Sequence, residues 1–87
     1  MNKEDITRLE YEEKISAHQG YRLRQLIDEG YDVSEAAAGK ITGFGRCNEM
    51  ARLVKAGDDK GIKRLIEETA EEERIEQEKI EEYLRRK

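Results

Sequence analysis

Across residues 62–87 the chain holds neither glycine nor proline, and proline is absent from all 87 residues. Proline is the strongest interruption a helix can meet, because it removes a backbone donor and its ring clashes with the preceding turn. A stretch this long without either breaker, charged at 16 of its 26 positions, reads as one helix over residues 60–86. Ile62, Leu65, Ile66, Thr69 and Ala70 fall on one face of it. Beyond Ala70 the apolar content thins to Ile75, Ile80, Tyr83 and Leu84. Pairs at i,i+4 such as Glu81–Arg85 and Glu82–Arg86 support the helix there, while Glu67–Glu71 and Glu68–Glu72 oppose it. Such a helix spans about 40 Å, whereas a compact domain of this length is roughly 30 Å across. Its last two or three turns are therefore expected to overhang the body, to lie along the first helix, or to pair with another chain. Ile80, Tyr83 and Leu84 share a face and look like a contact surface.

The remainder also reads as helical. Asp5 is a suitable N-cap for a first helix over residues 6–18, with Ile6, Leu9, Tyr11, Ile15 and Ala17 as a loose apolar stripe. Gly20 either closes that helix or lies inside it. Residues 21–29 form a second helical stretch carrying Leu23, Leu26 and Ile27, with Gly30 just past its end. Ser34 caps a short helix over 35–38, with Val33 before it. The segment 39–45 is the only glycine-rich loop, and Ile41 and Phe44 are its apolar pins to the core. A third helix over 46–56 carries Cys47, Met50, Ala51, Leu53 and Val54; Gly57 closes it, and Asp58 or Asp59 caps the next. The expected fold is all-α: a bundle of three to five helices in a single domain over 1–87, with 71–87 a projecting or bracing acidic helix. The expected core is Leu23, Leu26, Ile27, Ile41, Phe44, Met50, Leu53, Val54, Ile62, Leu65 and Ile66.

Charge then narrows the function classes. Charged residues make up 44% of the chain and apolar ones 36%, so the core is thin and the outer faces are heavily charged. The net charge of −4 is unevenly placed: residues 40–64 are +4 and residues 66–87 are −4. A pI near 5.1 argues against general nucleic-acid affinity. The lone Cys47 forms no internal disulfide, no signal peptide opens the sequence, and no segment approaches a membrane span. A reducing cytosol without membrane attachment is the expected setting.

Catalytic groups are sparse. His18 is the only histidine, and a general base needs an orienting partner; it reads as a partly exposed helix residue. Cys47 sits on an apolar stripe and reads as a buried small hydrophobe, although Arg46 beside it would lower a thiol pKa in an open site. One Cys and one His have no zinc spacing, and the run Glu71-Glu72-Glu73 on a helix cannot wrap a calcium ion. In the loop 39–45, Lys40 follows the first glycine, where a phosphate loop has lysine after the last. The stretch 56–66, with Gly57-Asp58-Asp59 between two helices, resembles the helix-to-helix portion of an ankyrin repeat over about a tenth of the chain. It has no second copy and no Thr-Pro-Leu-His turn, and reads as helix punctuation.

No catalytic site, metal site or cofactor is expected. The leading expectation is a non-enzymatic protein-binding module: an adaptor, regulator or inhibitor of the kind that phages and mobile elements encode. Its surface would comprise Glu71, Glu72, Glu73, Glu76, Ile80, Tyr83 and Leu84, with the acids able to imitate a nucleic-acid backbone. The alternative is a helix-turn-helix-like nucleic-acid-binding regulator using Lys40, Arg46, Arg52, Lys55, Lys60, Lys63 and Arg64. A homodimer through the C-terminal helix is compatible with either.

Overall fold

The computed structural model describes residues 1–86. Four helices follow one another: α1 Lys3–Tyr11, α2 Ala17–Asp28, α3 Phe44–Ala56 and α4 Asp59–Arg85, with a 3₁₀ turn, Glu35–Ala37, between α2 and α3. No strand occurs among the described residues. The chain is a small all-α bundle with a long C-terminal helix. α1 packs on α2, α2 on α3 and α3 on α4, while the 3₁₀ turn packs on α4.

The first two helices are divided differently from the expectation. α1 is capped by Asn2, whose side chain accepts from the Asp5 amide at 2.9 Å while Asp5 reaches back to the Asn2 amide at 3.1 Å. Asp5 is thus the third helical residue of a capping box and not the cap. α1 then stops at Tyr11, seven residues short of the expected end. Glu13 adopts φ 60°, its amide donates to Glu10 and the Lys14 amide donates to Leu9, the paired bonds of a Schellman closure. Glutamate occupies the left-handed position that glycine usually fills, at a cost of about 1 kcal/mol. α2 restarts at Ala17 behind a second capping box, Ser16 with Gln19, and Gly20 lies buried in its first turns.

Gln19 fastens the middle of the molecule. It is fully buried, and all four hydrogen-bonding positions of its amide are used. Its Nε2 donates to the carbonyls of Ala37 (3.2 Å) and Gly39 (2.7 Å). Its Oε1 accepts from the amides of Ser16 (3.2 Å) and Ile41 (2.8 Å). The Ser16 hydroxyl adds a bond to the Ile41 carbonyl at 2.7 Å. The segment between the 3₁₀ turn and α3 is thereby held against α2. Its other side meets α4 so closely that a Cβ at Gly39 would stand 2.7 Å from Ile66 Cγ2.

The core is Ile6, Ile15, Leu23, Leu26, Val33, Ala37, Ile41, Cys47, Met50, Ala51, Val54, Ile62 and Leu65, with Ile27, Leu53 and Ile66 partly buried against it. Phe44 is not part of it. It opens α3 and is 73% exposed, its ring resting on that of His18 at 3.9 Å between centroids. The inward stripe of α3 begins only with Cys47, so residue 44 faces outward.

Candidate partner-binding surface

α4 has two halves with different surroundings. Its first half buries Ile62, Leu65 and Thr69 against the body. Thr69 is satisfied, donating to the Leu65 carbonyl at 3.0 Å and accepting from Arg46 at 3.1 Å. Arg46 also pairs with Glu72. That hydrogen bond, reinforced by the fields of Glu68 and Glu49, outweighs partial burial and strengthens the guanidinium's hold on its proton. One turn on, the Thr42 hydroxyl donates to Glu73 at 3.3 Å. These contacts clamp the helix where it leaves the body. At this root lies a hollow of about 280 Å³ lined by Thr42, Arg46, Glu72, Glu73, Ile75, Glu76 and Lys79.

Beyond the root every side chain from residue 70 to residue 86 is exposed. The helix continues for about 24 Å, and the molecule measures 52 Å along its longest axis against 24 and 18 Å across. Ile62, Ile66, Thr69, Glu73, Glu76, Ile80 and Tyr83 follow one another at alternating spacings of four and three, the period of a helix-packing seam. The first three meet the body, and the last two, with Leu84 beside them, are exposed. Ile80 is 53% exposed, Tyr83 61% and Leu84 62%, which makes them the largest apolar group on the outer half of α4. Glu71 and Arg74 pair at 3.4 Å along the helix, as do Glu82 and Arg86 at 2.7 Å.

The seven basic residues of the middle are not brought to one face. Arg46 turns inward to α4, as described. Arg52 and Lys55 lie on the outward face of α3, and Lys55 stands 3.9 Å from Glu29 and 5.4 Å above the Tyr31 ring. Lys60, Lys63 and Arg64 are exposed on the first turns of α4, and Lys40 is exposed before α3.

His18 is half-exposed beneath Phe44. Burial pushes the Cys47 thiol up, against a smaller opposing effect of Ser16, and its Sγ lies 3.8 Å from the Ile41 carbonyl. Among the described residues no three His, Cys, Asp or Glu side chains converge to hold a metal ion. None of the described helices is long and apolar enough to cross a membrane. Sequence reasoning missed Gln19, whose only mark in the chain is the Ser16-x-x-Gln19 spacing of a capping box. No protein-family model, no curated protein and no solved structure matches this chain.

Proposed function

We propose that the chain is a non-enzymatic protein-binding module, acting as an adaptor, regulator or inhibitor, with the outer half of α4 as its working surface. The observation that carries this is the continuation of the core-facing seam past the body into exposed Ile80, Tyr83 and Leu84. An apolar strip on a helix, flanked by charge, is what a groove or a second helix takes up in helix-mediated recognition. Glu71, Glu72, Glu73 and Glu76 lie between this strip and the body and would set charge preference. The dispersal of the basic residues, with Arg46 and Lys55 already engaged within the chain, weighs against a nucleic-acid-binding face.

The test is a pull-down with the tagged chain and with its Ile80→Asp/Tyr83→Asp/Leu84→Asp variant, each with and without nuclease. A protein retained by the first, lost with the variant and indifferent to nuclease is the expected result. Retention of nucleic acid, with bands that vanish on digestion and persist in the variant, would overturn it in favour of the basic residues.

A further inference from the structure

From the charge order along the exposed helix we infer that the outer half of α4 docks on the same segment of a second copy, antiparallel, about a two-fold axis near Ile80. This rests on the reading of that segment as the binding surface and names its partner. Residues 71–78 carry five acids and one base, whereas residues 79–86 carry Lys79, Arg85 and Arg86 against two acids. Each half of the overhang thus opposes the other in sign. A parallel pair would set acid on acid and base on base. The antiparallel pair lays the basic end of one copy along the acidic segment of the other, the complementary arrangement.

The shape agrees with the charge. A two-fold near Ile80 brings the other copy's Arg85 and Arg86 level with residues 74 and 75. That is within a turn of Glu73 and Glu76, at the mouth of the hollow that Thr42, Arg46 and Glu72 also line. Ile80 and Tyr83 of both copies then share one seam, and neither body obstructs the other, because the overlap ends where each helix meets its own body. A paired length of about 20 Å is short. So short a contact belongs with the small interfaces, below about 1,200 Å², that weak and transient complexes use, so the dimer forms at micromolar or higher concentration and leans on its charges.

Sedimentation equilibrium on the full chain, over roughly 10 to 500 μM at two salt concentrations, tests this. The expected mass rises from 10.2 kDa toward twice that value, with association several-fold weaker at about 0.5 M than at about 0.05 M salt. Ile80→Glu/Tyr83→Glu is expected to stay monomeric with an unchanged helical signal, since both side chains lie outside the core. Arg85→Glu/Arg86→Glu is expected to stay monomeric too, and to form a heterodimer when mixed with Glu73→Lys/Glu76→Lys. A parallel pair would be indifferent to the arginine reversal, because like charge would replace like charge. A wild-type chain at 10.2 kDa throughout, or a dimer that survives Ile80→Glu/Tyr83→Glu, would overturn the inference. Should the wild type be monomeric while Ile80→Asp/Tyr83→Asp/Leu84→Asp loses a protein partner in the pull-down, the second copy is refuted and the outer half of α4 remains a surface for a different protein.

Discussion

Replacing Gln19 tests whether one buried amide holds this thin-cored body together. In Gln19→Ala the carbonyls of Ala37 and Gly39 and the amide of Ile41 lose their partner, while Ser16 N lies near the surface where water replaces it. Each buried group left unsatisfied costs about 1–3 kcal/mol. Water reaches Gly39 more readily than the other two, so a loss of about 3–5 kcal/mol is expected. A domain of this length holds roughly 4–13 kcal/mol in all. With a urea slope of about 1 kcal/mol/M, the midpoint falls by about 3 M or more, and the native baseline nearly disappears. Gln19→Glu sharpens the test at constant shape. It keeps both acceptor roles but sets a carboxylate oxygen against the carbonyls of Ala37 and Gly39, where an N–H stood. Only the protonated form restores one donor, so the folded carboxyl is raised above its usual value of about 4.3. The stability of this variant is therefore greatest below the unfolded pKa and is lost as pH rises through the folded one. Urea titrations followed by helical circular dichroism near pH 4.5 and near pH 8 read both effects. A Gln19→Ala loss below about 1 kcal/mol, or a Gln19→Glu deficit that does not grow with pH, would refute the role assigned to this side chain.

Other consequences follow from single positions. Glu13→Gly relieves the left-handed strain at the end of α1 and should stabilise by about 0.5–1 kcal/mol, read as a melting-temperature rise of several degrees. Phe44→Ala should cost under about 1 kcal/mol, because the ring rests on His18 in solvent; a loss of about 3–5 kcal/mol, the figure for a core phenylalanine, would contradict its placement. Cys47, fully buried and with its thiol pushed up, should react with a disulfide reagent only when the bundle opens. Its modification rate should then rise with urea in parallel with unfolding, and a rate equal to that of a free thiol in native buffer would refute the burial.

What was legible beforehand was the periodic part of the chain. The inward stripes of α3 and of the first half of α4 repeat at helical spacing and are found where that spacing puts them, with Leu53 and Ile66 as partial contacts and Ala70, which is exposed, the exception. The break between α1 and α2 was not legible, because Glu12-Glu13-Lys14 are good helix formers and the left-handed turn uses Glu13, not glycine. The core contributions of Ile15 and Val33 depend on where the chain turns, which local pattern does not encode. Phe44 misled for a related reason: a large aromatic residue suggests burial, but its position in the first turn of α3 is set by where Gly43 starts the helix. Gln19 illustrates the hardest case, since three of its four partners, on Ala37, Gly39 and Ile41, lie far along the chain and come near it only on folding. On the candidate surface, length alone left the last turns of α4 to overhang the body, to lie along the first helix or to pair with another chain; their exposure and the clamp of Arg46 on Thr69 and Glu72 required the fold.

The division of α4 bears on why its outer half has the composition it has. All thirteen buried apolar side chains of the core precede residue 66, so nothing in the body needs Ile80, Tyr83 or Leu84. A solubilising tail would be served as well by Glu, Lys and Ala, which favour a helix without exposing apolar area. Nor is a segment of this length securely helical by itself, since it barely exceeds the roughly 12–15 residues below which isolated helices are marginal. Helix nucleation is supplied by the first half of α4, and the bonds from Arg46 and Thr42 hold the joint. The outer half is thus presented as an ordered extension, with three apolar side chains continuing the register of a buried seam. Docking on that seam would cover the area the body leaves open, and it would draw its ordering from the same clamp that aims the helix. On this reasoning, weakening the clamp by Arg46→Ala, which leaves Ile80, Tyr83 and Leu84 in place, would impair docking.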